Sequence, residues 1–290
     1  PKRPAALSAA TQVPDKRTRL APGDSEERRH AFAVQQLQQH LDSLQADDVH
    51  ELMTVQRCLR DGVDENTLVV RALRLLSAFL ENHLSLHARV VQQGVIPAIL
   101  AAMQRHRDID VLVFGITSMN HILEGFRTVA AMDRDDGAEG AALSSDDFIA
   151  QIAKHSGPDA ITGAMRHFPA CEALQDRGCR CFGLLCQAAR ENKVSQGYKK
   201  GHKQESSVTL RSQAKTLLTR HGAVELVVSA MLRFPTNAAL QANGCMALGY
   251  IGAGEIKAKR RSSKGGGVLS ALAEAMTRHT ADVGVQRFGC

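Results

Sequence analysis

One spacing recurs along this chain and restricts what it can fold into. In HGAVELVVSAMLRFPTNAALQANGCMALGYI (His221–Ile251), Gly222 precedes Met231 by nine residues, Leu240 follows the methionine by nine, and Gly244 follows it by thirteen. Gly94, Met103 and Leu112 repeat the nine-residue steps, with Gly115 at twelve. Gly157 lies eight before Met165, and Leu174 and Gly178 follow at nine and thirteen. Gly267, Met276, Val285 and Gly289 keep the full pattern, and Leu59, Leu68 and Ala72 form a weaker first copy. ALQDRGC at Ala173–Cys179 matches ALQANGC at Ala239–Cys245, and RHFP at Arg166–Pro169 matches LRFP at Leu232–Pro235. Offsets and residue types recur together, which marks a repeat array with a unit in the low forties, lengthened twice by polar inserts.

Each unit reads as a pair of helices. Val224, Val227, Val228 and Met231 form a stripe of helical period. Pro97 falls in a first helical turn, where its missing N–H costs nothing. Pro169 and Pro235 follow the stripe and break the chain before the second helix. A mid-helix glycine costs about 1 kcal/mol against alanine. Its return at Gly115, Gly178, Gly244 and Gly289 therefore points to close helix contact. Neither helix buries its stripe alone, so the core comes from stacking units. Composition agrees: aromatics are 4% with no Trp, so the core is made of aliphatic side chains. The expected fold is all-α.

The pattern GAVELVVSAM…NAALQANGCMALGYI resembles the armadillo repeat, in the divergent form found in armadillo-repeat-containing proteins and beside other repeats in large scaffolds. The resemblance runs from about Val49 to Cys290 and is strongest at 221–251. It implies a right-handed α-solenoid, a superhelix with a concave binding groove and no catalysis of its own. Peptide-clamping members of that family carry a Trp–Asn ladder on the inner helix. Here Met246 and Tyr250 stand at the corresponding positions, with Thr117 and His121, Arg180 and Leu184, and Arg74 and Ala78 in the other units. The candidate partner-binding residues of this face are Arg74, His121, Arg180 and Tyr250.

The division expected from sequence is a disordered, basic, Pro-rich segment at 1–29 and an array of about four repeats plus a truncated fifth at 30–290. Asp24 or Ser25 is placed to start a capping helix that carries Phe32, Val34 and Leu37. The chain starts at Pro1 and stops at Gly289-Cys290 inside an apolar pattern, as a fragment would. Polar inserts interrupt the array near 127–147, 190–213 and 257–264. The first is acidic, and its DRDDGAEG lacks the twelfth-position Glu of a calcium loop. Ser144 is placed to cap the helix after it. The other two are basic. Lys199, Lys200 and Lys203 in one, and Lys257, Lys259, Arg260 and Arg261 in the other, follow the second helix of adjacent units. They are expected to share one electropositive edge that attracts an acidic protein segment, anionic lipid or nucleic acid. Ser262 and Ser263 follow the arginine pair as candidate kinase targets.

Chemistry-bearing patterns are sparse. Cys179 and Cys181 sit two apart on one helix, pointing in roughly opposite directions, and read as core thiols. Seven cysteines without framework spacing suit a reducing, intracellular compartment, the cytoplasm first and the nucleus second. His83 and His87 fall on one helical face without the remaining ligands of a zinc site. No phosphate-binding glycine loop or nucleophile elbow occurs, and no apolar run reaches the length of a membrane span. Neither catalytic residues nor a metal or cofactor are expected. The expected role is a non-enzymatic scaffold that binds a protein along its inner surface; the alternatives are a spacer within a larger multidomain chain, such as one with a kinase or GTPase domain, and an anion binder. The spacing itself is testable: Gly244→Leu should lower stability by roughly 1–3 kcal/mol through overpacking, read by circular dichroism melts of the two proteins. An unchanged melt would place Gly244 at solvent.

Overall fold

The computed structural model describes residues 35, 39, 52–61, 65–83, 86–136, 145–195, 215–252 and 266–290. Regular structure among them is helical. The helices are α1 (Leu52–Asp61), α2 (Asn66–Asn82), α3 (Leu86–Gln92), α4 (Val95–Arg105), α5 (Ile109–Asp136) and α6 (Ser145–Lys154). They continue with α7 (Gly157–His167), α8 (Glu172–Ser195), α9 (Ala223–Arg233), α10 (Ala238–Gly252), α11 (Gly266–Arg278) and α12 (Val283–Gly289). A further helical stretch spans 215–220.

The helices stack in two layers. α1, α4, α7, α9 and α11 lie side by side, as do α2, α5, α8, α10 and α12, and each first-layer helix packs on its successor in the second. One core runs through the whole stack, from Leu52 and Val55 through Ile99, Ile116, Phe148, Phe182 and Leu240 to Val285. The architecture is therefore an all-α helical stack without a sheet among the described residues. The expectation of two helices per unit needs one correction. Among the described residues, short helices α3, α6 and 215–220 precede the first-layer helix of their units, so these units have three helices. The helix pair therefore accounts for only part of each of these units.

Within each pair the repeated methionine meets the repeated glycine. A Cβ added at Gly115 would lie 2.7 Å from Met103 Cγ, and one at Gly178 would lie 2.4 Å from Met165 Sδ. At Gly244 and Gly289 the distance is 2.6 Å, to Met231 Cγ and Met276 Cγ. Only a hydrogen fits there, because the methionine stem fills the space a methyl would need.

A second recurrent device sits one turn earlier on the same helices. Gln175 Nε2 donates to Met165 O at 2.9 Å and to Phe168 O at 3.1 Å. Gln241 Nε2 donates to Met231 O at 2.8 Å and to Phe234 O at 3.0 Å. Gln286 Nε2 donates to Met276 O at 2.8 Å and to His279 O at 3.1 Å. The last carbonyls of an α-helix have no partner within the helix. In three successive units one glutamine amide satisfies two of them.

The start of the first-layer helix has its own rule. Gly94 (φ 69°) and Gly222 (φ 73°) are left-handed immediately before α4 and α9. Before α7 that conformation belongs to Ser156 (φ 56°), not to Gly157. The spacing from Ser156 to Met165 is then nine, and the apparent one-residue irregularity of that unit disappears. Gly267, matched by spacing alone, lies inside α11 instead.

Other expectations also change. Within the insert at 127–147, α5 continues through Asp136 and α6 begins at Ser145. In the same way α8 runs to Ser195, into the insert that begins at 190. His83 is the C-cap of α2, whereas His87 belongs to α3, so the two do not share a helix. His87 is buried against Gly125, where an added Cβ would lie 2.2 Å from its ring. The N-terminal capping helix and the Ser144 cap lie outside the described residues. The glutamine clamp generates a prediction. Gln241→Leu keeps the side-chain bulk and removes both hydrogen bonds, so it should cost about 1–3 kcal/mol. Chemical denaturation of the two proteins, compared at the midpoint with unchanged slope, measures it.

Candidate functional site: the second-layer face

The second-layer helices carry half-exposed side chains that meet across unit boundaries. The pairing has a repeat logic. The residue just before the small position of one unit often meets the residue two after it in the unit before. Arg74 on α2 lies over the ring of Phe114 on α5, with Cζ 4.8 Å from the centroid, and 3.7 Å from Asp110. Arg177 on α8 donates from Nε to Thr117 Oγ1 at 2.7 Å. Thr117 in turn donates to Val113 O. Farther along, Tyr250 on α10 meets Phe288 on α12 edge-on, with centroids 6.2 Å apart.

Around these run further cross-unit bonds. Arg180 Nε donates to Glu124 Oε1 at 2.8 Å, and its Nη2 also reaches that oxygen. Asn120 Nδ2 donates to Arg177 O at 3.0 Å, and Asn243 Nδ2 donates to Asp176 Oδ1 at 2.8 Å. Below the row, Ser77 and Ser118 share a buried hydrogen bond of 2.9 Å. His121 stands among Glu81, Glu124, Arg177 and Arg180, and burial holds its pKa below the ordinary histidine value. The two glutamates oppose that shift without overcoming it. At neutral pH the ring is therefore neutral, a hydrogen-bonding group among charges.

At the N-terminal end of the row, Asn66, Thr67, Val70, Arg71, Arg74 and Leu75 line a groove of about 680 Å³ with Asp108 and Asp110. Its lining combines apolar side chains with two arginines and two aspartates.

Of the residues marked from sequence, Arg74, His121, Arg180 and Tyr250 thus all lie on second-layer helices and make cross-unit contacts or fields there. Leu184 does not join the face, being buried in the core. Lys199, Lys200, Lys203, Lys257, Lys259, Arg260 and Arg261, with Ser262 and Ser263, lie outside the described residues. Phe114, Glu124, Arg177 and Phe288 were missed from sequence. The signal that finds Phe114, Arg177 and Phe288 is their place immediately before Gly115, Gly178 and Gly289.

Cys58, Cys179, Cys181, Cys186 and Cys245 are buried, Cys171 is half-buried and Cys290 is exposed. Cys179 and Cys181 point in different directions and are both buried, since α8 is packed between α5 and α10 as well as on α7. Burial pushes the Cys181 and Cys186 thiols up to about 12 and Cys245 up to about 11, and raises Cys179 further. Among the described residues no group of three or more His, Cys, Asp or Glu side chains is placed to hold a metal. No helix there is long and apolar enough to cross a membrane.

Comparison of the chain with protein-family models, with curated proteins and with solved structures finds no match.

The thiols give a prediction. Thiolate is the reactive species, so at pH 8 an aromatic disulfide reagent should modify Cys290 first and Cys171 more slowly. The five buried thiols should react roughly a hundredfold or more slowly until denaturant is added, followed by absorbance and peptide mapping.

Proposed function

We propose that the chain is a non-enzymatic scaffold that binds a protein partner along the second-layer face. Under this reading the stack is an armadillo-type solenoid, a right-handed superhelix with that face on its concave side. The observation that carries the proposal is the continuous row of half-exposed polar, charged and aromatic groups from Arg74 to Phe288. They are held at fixed intervals by the helices beneath them. Such a row offers an extended ligand anchors of three kinds: guanidinium groups for carboxylates, ring faces for apolar side chains, and amides or hydroxyls for the peptide backbone. Rigid placement lowers the ordering cost of binding, which in a solenoid falls mainly on the ligand.

A spacer reading predicts no ligand for this face, so the two separate experimentally. Random peptides displayed on phage should be enriched by the full chain. The enriched peptides should lose at least roughly tenfold in affinity, about 1.4 kcal/mol, when Arg74 and Arg180 are both changed to Glu. Circular dichroism should show the double variant folded. Failure to enrich any peptide, or enriched peptides that bind the variant equally well, would leave the spacer reading in place.

A further inference from the structure

The glutamine clamp is missing from the first copy, where Val69 stands three before Ala72, and from the unit of Gly115, and a cavity lies beside the latter. Counting three residues back from the glycine gives Gln175, Gln241 and Gln286, but in the unit of Gly115 it gives Leu112. The carbonyls that the clamp serves can be matched through the helix ends. Phe168 and Phe234 are C-caps that donate to Ala164 O and Ala230 O; His106 is the C-cap of α4 and donates to Ala102 O. Met103 O and His106 O therefore correspond to the carbonyl pairs that take two bonds from a glutamine amide elsewhere. Leu112 has no N–H in its side chain to offer them.

Between α4 and α7 there is a cavity of about 340 Å³ lined by these same three residues, Met103, His106 and Leu112. Its wall on α7 includes Gly163, whose added Cβ would meet nothing within 4 Å. Its polar lining includes Arg107, His167 and Asp159, and Asp159 is engaged by His221 Nδ1. The His106 side chain on its wall is more than nine-tenths buried, and its Nε2 has no hydrogen-bond partner.

We propose that this cavity binds a primary carboxamide, which takes the place of the missing glutamine side chain. Its amide N–H groups donate to Met103 O and His106 O at the end of α4, as the glutamines do in the other units. Its carbonyl oxygen accepts from the cationic or ring N–H groups of the rim, Arg107 foremost. A carboxylate of the same shape has no N–H to donate and would meet two carbonyl oxygens at the negative end of the helix dipole. An alkylammonium satisfies those carbonyls but offers nothing to Arg107. The cavity volume falls within the range of small-molecule pockets, so it holds more than the amide group alone.

The test uses the full chain with methyl-labelled methionine, the Met103 methyl assigned by substitution of another sample. Propionamide should shift that resonance saturably, with millimolar affinity for so small a ligand, whereas propionate and propylamine should not. Leu112→Gln supplies the amide from within; it should abolish the shift and raise the melting temperature. Gly163→Leu fills the cavity from an exposed, unobstructed position and should abolish the shift in a protein that remains folded by circular dichroism. A short peptide with one glutamine, titrated in parallel, identifies the source of the amide. Tenfold tighter binding than propionamide assigns a protein side chain, and equal or weaker binding assigns a free small amide. No shift with propionamide, an equal shift with propionate or propylamine, or a shift that survives Gly163→Leu would overturn the proposal.

Discussion

The contact between a methionine and a glycine sets the distance between the two layers, and much else follows from it. Helices that meet through large side chains sit near 10 Å apart; small residues bring them toward 8 Å. Met103, Met165, Met231 and Met276 lie against bare backbone, so no side chain on the second helix holds the pair apart there. The glutamine three residues before the glycine then lies about one turn away, level with the end of the first helix. Only at close separation can its amide reach two carbonyls there. The hydrogen bonds at 2.8–3.1 Å are thus a consequence of the glycine contact. The inter-unit row on the second layer depends on the same spacing, because each second-layer helix is positioned by the pair to which it belongs.

The sequence revealed those parts of the fold that every unit repeats. Met231 and Gly244 stand thirteen apart in one unit and Met276 and Gly289 in another, so the contact leaves a periodic trace. The short helices left a weaker trace. α3 is seven residues long, follows His83 without a recurrent marker, and is fixed by tertiary packing of Val90 and Val91 rather than by local preference. Ser156 was hidden for a different reason. A left-handed serine is uncommon, so the eye goes to the neighbouring glycine, while the hydrogen bonds and packing of the turn decide the conformation. The ends of α5 and α8 left no clear mark, because charge runs are compatible with both loops and solvated helix faces. For the candidate face, Arg74, His121, Arg180 and Tyr250 could be placed from the register alone. Their partners could not, since Glu124 meets Arg180 only through the stagger between neighbouring helices.

The unit of Met103 shows what happens when one member of the set changes. Its link from methionine to glycine is one residue shorter, and Leu112 stands for glutamine. The second helix still starts cleanly. Asp108 Oδ1 accepts from Asp110 N at 2.9 Å and from Val111 N at 3.3 Å, in the role that Asn237 and Asp282 play before α10 and α12. Met103 still packs on Gly115. The unit has therefore kept the apolar contact and the N-cap while losing the bonds at the end of α4. A buried leucine returns about 1.5–3 kcal/mol of hydrophobic stabilisation, similar in size to two ordinary hydrogen bonds. The exchange is close to neutral for folding, while it puts an apolar side chain in place of the amide beside a cavity lined by Met103, His106 and Leu112.

The second-layer face differs from that cavity in how it holds its charges. Arg180–Glu124 and Arg74–Asp110 are partly solvated, with arginine side chains 46% and 57% exposed. Pairs of this kind contribute only about 0–1 kcal/mol. They add little to the stability of the stack, and a carboxylate from another molecule can replace Glu124 or Asp110 at a correspondingly small cost. The buried Ser77–Ser118 bond has no such freedom: Ser118 Oγ also donates to Phe114 O, and breaking the link between the two serines would cost the buried Ser77 hydroxyl this partner. The layer thus combines fixed polar contacts underneath with exchangeable ones on top. Under the proposed scaffold role both are used, because the fixed contacts hold the geometry while the exchangeable ones are given up to a partner.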